Sequence, residues 1–251
     1  MHSNRHARHQ SRIRSLLTGL LATALPWQAG AGLPDEDTAQ WTLQEESGSI
    51  RIYTAPVEDS SFRAFKAVGV LDAPIENIMA VMVTPESCLE WAHNCAEARA
   101  VGDGSFHDRL AYSATDMPWP VSDRDYVLRL TTEGEQSTGQ IIVRMSAVPE
   151  QMEDESGRVR VDESDTLYRF TPEGDKTRMV WLQHTDPKGA LPGWLVNSLL
   201  VDIPLKSMEA LEETANYDHY QGFELVWDEQ GSLANVLPPS PQRGDDDASA
   251  R

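Results

Sequence analysis

Residues 117–130 read Met-Pro-Trp-Pro-Val-Ser-Asp-Arg-Asp-Tyr-Val-Leu-Arg-Leu. Pro118 and Pro120 each fix φ and remove a backbone donor, so Trp119 between them is confined to a stiff extended corner that suits neither a helix nor a central strand. Ser122 to Asp125 form a polar turn. Beyond it Tyr126, Leu128 and Leu130 alternate with Val127, Arg129 and Thr131, the period of two expected of a strand with one drier face. The stretch reads as a loop with an anchored aromatic that feeds a sheet.

Pro118-Trp119-Pro120-Val121-Ser122-Asp123-Arg124-Asp125-Tyr126-Val127 closely resembles the signature of START (StAR-related lipid-transfer) domains. That signature runs proline, Phe or Trp, proline, Met or Val, Ser, Asn or Asp, Arg-Asp, Phe or Tyr, Val. Ten consecutive positions with two prolines and an Arg-Asp pair are far more specific than a lone glycine motif.

Outward from the corner, the chain alternates between strand and helix signals. Upstream, 35–46 is expected to form a short helix capped by Asp37 or Thr38 that buries Trp41 and Leu43. Residues 48–57 and 62–72 read as two paired strands, the first rich in β-branched residues. Pro74 then opens a helix, because proline suits the first helical turn. Ile75, Ile78, Met79, Met82 and Val83 recur at helical spacing, so two short helices or one broken helix cover 75–92. Strands follow at 95–101, 106–116, 125–132, 139–148, 158–171 and 176–185. Their turn signals, Gly102-Asp103-Gly104, Glu133-Gly134-Glu135 and Pro172-Glu173-Gly174-Asp175, imply an antiparallel sheet. The acidic segment 149–157 is a surface loop. A long helix spans 191–216, its apolar side built from residues such as Trp194, Leu200 and Leu211, with Pro204 expected to kink it. Residues 217–229 form a short epilogue, and 236–251 is expected to be a disordered acidic tail.

This order is similar to the START helix-grip fold across residues 38–223: an α+β domain whose curved antiparallel sheet wraps around a long C-terminal helix. The resemblance implies a tunnel between sheet and helix that holds one lipid molecule. Periodicity alone assigns the same apolar residues to ordinary core. Under the resemblance, Phe106, Leu110, Tyr112, Leu128, Leu130, Met145, Trp181, Leu195, Leu199, Ile203 and Met208 are the expected tunnel walls. Pro118, Trp119, Pro120, Arg124 and Asp125 are expected to be architectural, with Trp119 a plug and Arg124-Asp125 a partly buried pair that pins the turn to a neighbouring strand. The buried acid and base of sterol-carrying members fall at Ala111 and Leu130, neither of which ionises. Arg109 and Arg129 lie within two residues of these positions, so a small shift of the alignment would bring one of them into play. The cargo is therefore expected to be a phospholipid, fatty acid or similar molecule.

Composition bounds the remaining choices. A chain of 251 residues, 40% hydrophobic, suits one sizeable core with tails. Arg5, Arg8, Arg12 and Arg14 precede the apolar run Leu16–Leu25, and Ala29-Gly30-Ala31 offers a cleavage site, so 1–31 reads as a signal peptide. A periplasmic or secreted location follows from it. The net charge of −19, made more acidic still by losing four arginines, repels phosphate backbones. Nucleic acid is excluded as a partner, and contact with membranes is expected to be transient. A monomer is expected. The only cysteines, Cys88 and Cys95, are too far apart on a straight helix to bond but can meet if the helix ends near Trp91 and the chain turns at His93-Asn94. Export makes a disulfide the favoured reading.

No catalytic motif, metal-ligand set or cofactor motif is present in the sequence, so the chain is not expected to be an enzyme. His184 with Asp186 and Lys188 is the only local polar cluster. Two alternatives remain at this level: a helix-grip enzyme, which requires His184, Asp186 and Tyr112 to converge inside the tunnel, and an interaction protein with a filled core.

Overall fold

The computed structural model describes residues 32–189 and 191–240. The expected signal segment, residues 1–31, and residues 241–251 of the expected tail lie outside the described residues. Among the described residues there are twelve strands: β1 (Thr42–Ser47), β2 (Ile50–Ala55), β3 (Ala64–Leu71), β4 (Cys95–Val101), β5 (Asp108–Thr115), β6 (Arg124–Glu135), β7 (Gln140–Ala147), β8 (Val159–Arg160), β9 (Glu163–Glu173), β10 (Lys176–Asp186), β11 (Glu224–Trp227) and β12 (Leu233–Leu237). The helices are α1 (Ile75–Val83), α2 (Cys88–Trp91), α3 (Gly193–Asn197) and α4 (Ile203–Thr214). The main sheet runs β1-β2-β3-β10-β9-β7-β6-β5-β4 and its path is antiparallel throughout; β8 lies alongside β6 in parallel. The helix-grip expectation holds: this sheet packs against a helix at the C-terminal end of the domain.

The core lies where that helix meets the sheet. Ile78 and Met79 of α1 and Met208 and Leu211 of α4 are fully buried together with Ile52, Leu71, Phe170 and Met179. Close approach depends on Gly69 of β3, where a Cβ would stand 3.0 Å from both Ile50 and Met208. β10, at the centre, is buried along most of its length because both its faces are covered.

Several local expectations fail for identifiable reasons. The helix expected over 35–46 is absent: Asp35 caps only a turn, accepting from the Asp37 and Thr38 amides at 2.9 and 2.8 Å. The residues beyond it add β1 to the free edge of β2, a strand with Leu43 49% exposed, so there was no apolar face for a helix to bury. Glu133 to Glu135 continue β6, and the turn falls four residues later at Gly139, where φ is 67°. Pro172 stays inside β9, and Gly174 (φ 70°) makes that turn. The strand expected over 158–171 divides, because Val159-Arg160 pairs with β6 before the chain crosses to β9.

In the C-terminal helix the kink expected at Pro204 is replaced by a π-helical turn over Ser198–Asp202. The Ile203 amide bonds to the Ser198 carbonyl, five residues back, just before the proline removes a donor. The epilogue is more than that: β11 and β12 form a hairpin that buries Leu233 and Val236 against the main core. Residues 236 and 237, expected to be disordered, are part of it. Cys88 and Cys95 form a disulfide with Cα atoms 6.0 Å apart, as the sequence allows, since α2 stops at Trp91 and Asn94 reverses the chain with φ 67°.

Candidate functional site: a cavity between sheet and helix

A cavity of about 270 Å³ separates the inner face of the sheet from α3, the π turn and the start of α4. The strand register makes it a stack of rows across β3, β10 and β9. Its inner end is the row Gly69–Met179–Phe170, which is closed core. Next comes Trp181 beside Tyr168, then Phe65–Gln183–Thr166, then Thr185 beside Ser164. The rows pass from fully apolar to hydroxyl-bearing as they approach Pro187, which borders the cavity where the chain leaves the sheet for the helix.

The polar atoms of this wall are partly tied to one another. The Trp181 indole donates to Gln183 Oε1 at 3.1 Å, Gln183 Nε2 donates to Thr185 Oγ1 at 3.0 Å, and Thr185 shares a hydrogen bond of 2.8 Å with Ser164. The Tyr168 hydroxyl and the Trp91 indole have no hydrogen-bond partner among the described residues, though both side chains are largely buried and line the cavity. Burial raises the Tyr168 phenol well above its usual range and pushes Tyr126 up to about 12, so both are neutral donors near pH 7. Opposite, the Arg99 guanidinium stacks 4.1 Å over the Tyr112 ring and reaches Glu155 at 3.2 Å.

Of the expected wall residues, Tyr112, Leu128, Leu130, Met145, Trp181, Leu199 and Ile203 line the cavity. Phe106, Leu110, Leu195 and Met208 do not. Phe106 packs on the edge of the main core, and Leu110 pairs with Arg129 and Val101 on its neighbouring strands. Leu195 is buried elsewhere, and Met208 lies beyond the cavity's inner end against Gly69. Sequence reasoning missed the wall supplied by Met82, Ser87, Trp91 and His93, and the hydroxyl rows on β9 and β10. The alternation Ser164, Thr166, Tyr168 was the available signal.

The proline corner differs from expectation at three residues. Trp119 is 91% exposed and plugs nothing: its two prolines hold the ring outward while the Met117 amide, donating to Asp123 at 2.9 Å, closes the loop beneath it. Arg124 and Asp125 are almost fully buried but do not pair with each other. Arg124 donates to the Ser122 carbonyl and to those of Pro187 (2.9 Å) and Lys188 (2.8 Å), tying the corner to the loop that precedes α3. Asp125 bonds Arg160 of β8 at 2.8 Å, and Arg160 holds the carbonyls of Pro149, Met152 and Glu153.

Ala111 and Leu130 meet the cavity as apolar groups. Arg109 turns to the Phe106 carbonyl and Thr132, and Arg129 pairs with Asp108 at the surface, so neither lines it. The three groups an enzyme of this shape would need do not converge: Tyr112 lines the cavity, whereas His184 binds Ser60 at 3.0 Å and Asp186 accepts the Lys188 amide, and neither is part of the wall.

The comparisons with known proteins agree with this architecture. The family model described as START domain matches residues 29–215. An uncharacterized protein of Pseudomonas aeruginosa is 31% identical over 197 residues, covering 78% of this chain and 95% of that one. The phosphatidylcholine transfer protein of Rattus norvegicus is 27% identical over 166 residues, covering 63% and 76%. Among solved structures, a fragment of the STAR-related lipid transfer protein from Xanthomonas axonopodis superposes with a TM-score of 0.64 at 26% identity, covering 70% of this chain and 99% of that one. With the family model matching most of its length and a relative 31% identical over 197 residues, this chain belongs to the START domain family.

Proposed function

We infer that the protein binds one lipid molecule in the cavity and shields it from water while carrying or presenting it. The observation that supports this most is the cavity itself: a partly open, mainly apolar and aromatic space with a few polar groups on its wall, the composition of a small-molecule site. Each methylene moved from water into it gains ~0.8 kcal/mol, enough for one acyl chain to outweigh the ordering of its cover. Relatives whose names describe lipid or phosphatidylcholine transfer support a phospholipid or a related acyl lipid as cargo.

In this reading the protein works as a monomer in an exported compartment, released there by loss of residues 1–31. It touches membranes transiently through Trp119 and Trp194, the latter 60% exposed at the start of α3. Both sit close in sequence to the two loops that Arg124 ties together. The test is native mass spectrometry with lipid extraction on protein purified from its own compartment. A single lipid per chain is expected. Recovery of no stoichiometric lipid, together with no uptake of labelled phospholipid or fatty acid, would overturn the reading.

A further inference from the structure

The chain has 40 acidic and 21 basic residues, yet no Asp or Glu side chain lines the cavity among the described residues. The ionisable groups of its wall other than tyrosines are Arg63, Arg99 and His93. His93 is held below its usual range by burial and, to a lesser degree, by Lys206, and it is neutral at pH 7. Arg99 is already balanced by Glu97 and Glu155. Arg63 is different. It bonds only to the Thr54 hydroxyl (3.1 Å) and carbonyl (3.3 Å), with no carboxylate partner among the described residues.

The register orders the wall beside that charge. Gln183 of β10 faces Phe65 of β3 and Thr166 of β9, and Thr185 faces Ser164. Thr185 and Ser164 form the outermost inward-facing row of β10 and β9, and Arg63, two residues before Phe65 and just outside β3, turns its guanidinium to Thr54 of β2. It both lines the cavity and is exposed, which puts it at the opening. From there inward the rows become progressively less polar.

We propose that the cargo is an amphiphile with an anionic headgroup, a carboxylate or phosphate, held at the cavity's opening by Arg63 with the Thr185 and Ser164 hydroxyls, its tail running inward to Trp181 and Tyr168. This rests on the reading of the cavity as a lipid site. A cationic head would find no carboxylate in the wall. The aromatic faces are also engaged: Trp181 meets Phe65 and Trp91 edge-to-face at 5.1 and 6.2 Å, and the Tyr112 face is taken by Arg99. An anionic head gains charge-assisted hydrogen bonds from a guanidinium that lacks a counter-charge.

The test is calorimetric titration of the delipidated full chain with dodecanoate, dodecyl phosphate, methyl dodecanoate and dodecyltrimethylammonium, each below its micellar concentration. Dodecanoate, dodecyl phosphate or both should bind about tenfold more tightly than the ester and the ammonium compound. The favoured anion identifies a carboxylate or a phosphate source. Arg63→Gln should remove the preference of the anions over the ester, and Arg63→Glu should reverse it toward the ammonium compound. Equal affinity for all four probes, or tighter binding of the ammonium compound, overturns the headgroup assignment and leaves the cavity reading standing. Binding of none of them overturns both.

Discussion

Arg124 and Asp125 are neighbours of opposite charge, and each directs its charge elsewhere. Asp125 sits buried against Arg160, whose two terminal nitrogens also hold the 149–153 turn, so removing the carboxylate leaves a buried guanidinium with only the exposed Asp154, 3.7 Å away, as counter-charge. Asp125→Ala should lower the unfolding free energy by about 3–5 kcal/mol in urea titrations, and the double variant Asp125→Leu with Arg160→Met should cost less than that single change. A loss below ~1 kcal/mol for Asp125→Ala would show that the pair is not structural. Tyr126, next along the chain, titrates at about 12 because burial penalises its phenolate. The folded phenol thus ionises at higher pH than the unfolded one, near 10, so its contribution to stability is intact below pH 10 and is lost as pH rises toward 12. Stability should fall across that window, and less steeply in Tyr126→Phe; identical slopes would remove Tyr126 as a cause.

At the scale of elements, α2 and β4 are joined by a disulfide that closes a short loop on the cavity wall. The backbone of that loop is fastened to α4, where the His93 amide donates to Ser207 at 2.9 Å. Chain-entropy arithmetic for so short a loop gives ~2.5 kcal/mol, so the double variant Cys88→Ser, Cys95→Ser should lose about that much stability while keeping its far-ultraviolet circular dichroism. An unchanged melting temperature would count against it. On the opposite side, Gly69→Ala would force a methyl against Ile50 and Met208 and should cost about 1–3 kcal/mol, measured in the same titration. The π turn of Ser198–Asp202 is an element no periodicity could reveal. The apolar spacing of 191–216 is helical on either side of it, and only the backbone shows that Ile203 bonds five residues back.

For the molecule as a whole, a charge of −19 sets how it meets a bilayer. In the proposed contact through exposed Trp119 and Trp194, anionic headgroups repel the chain, so the protein should co-sediment more with neutral phosphatidylcholine vesicles than with anionic ones at low salt. The Trp119→Ala, Trp194→Ala variant should lose most of that binding without loss of stability. Equal sedimentation of variant and parent would remove the tryptophans from membrane contact.

The outline of the domain was legible because its signals are local. Two prolines around Trp119, alternation in β6 and glycine at the turns act within a few residues, and they place the corner, most strands and the helix before any contact is known. The same locality let the chain reversal at Asn94 bring Cys88 to Cys95. What only the tertiary structure decided depends on residues far apart in sequence. Periodicity says that Leu128 and Leu130, or Leu200 and Leu211, share a face. It does not say that one part of that face borders empty space and another is closed by Gly69 and α1. The outward ring of Trp119, the carbonyls that receive Arg124, the partner of Asp125, the strand made by 42–47 and the burial of Leu233 and Val236 were settled in the same way. For Arg124, Asp125 and Leu233 the deciding neighbour lies dozens of residues away, at Pro187, Arg160 and Gly134.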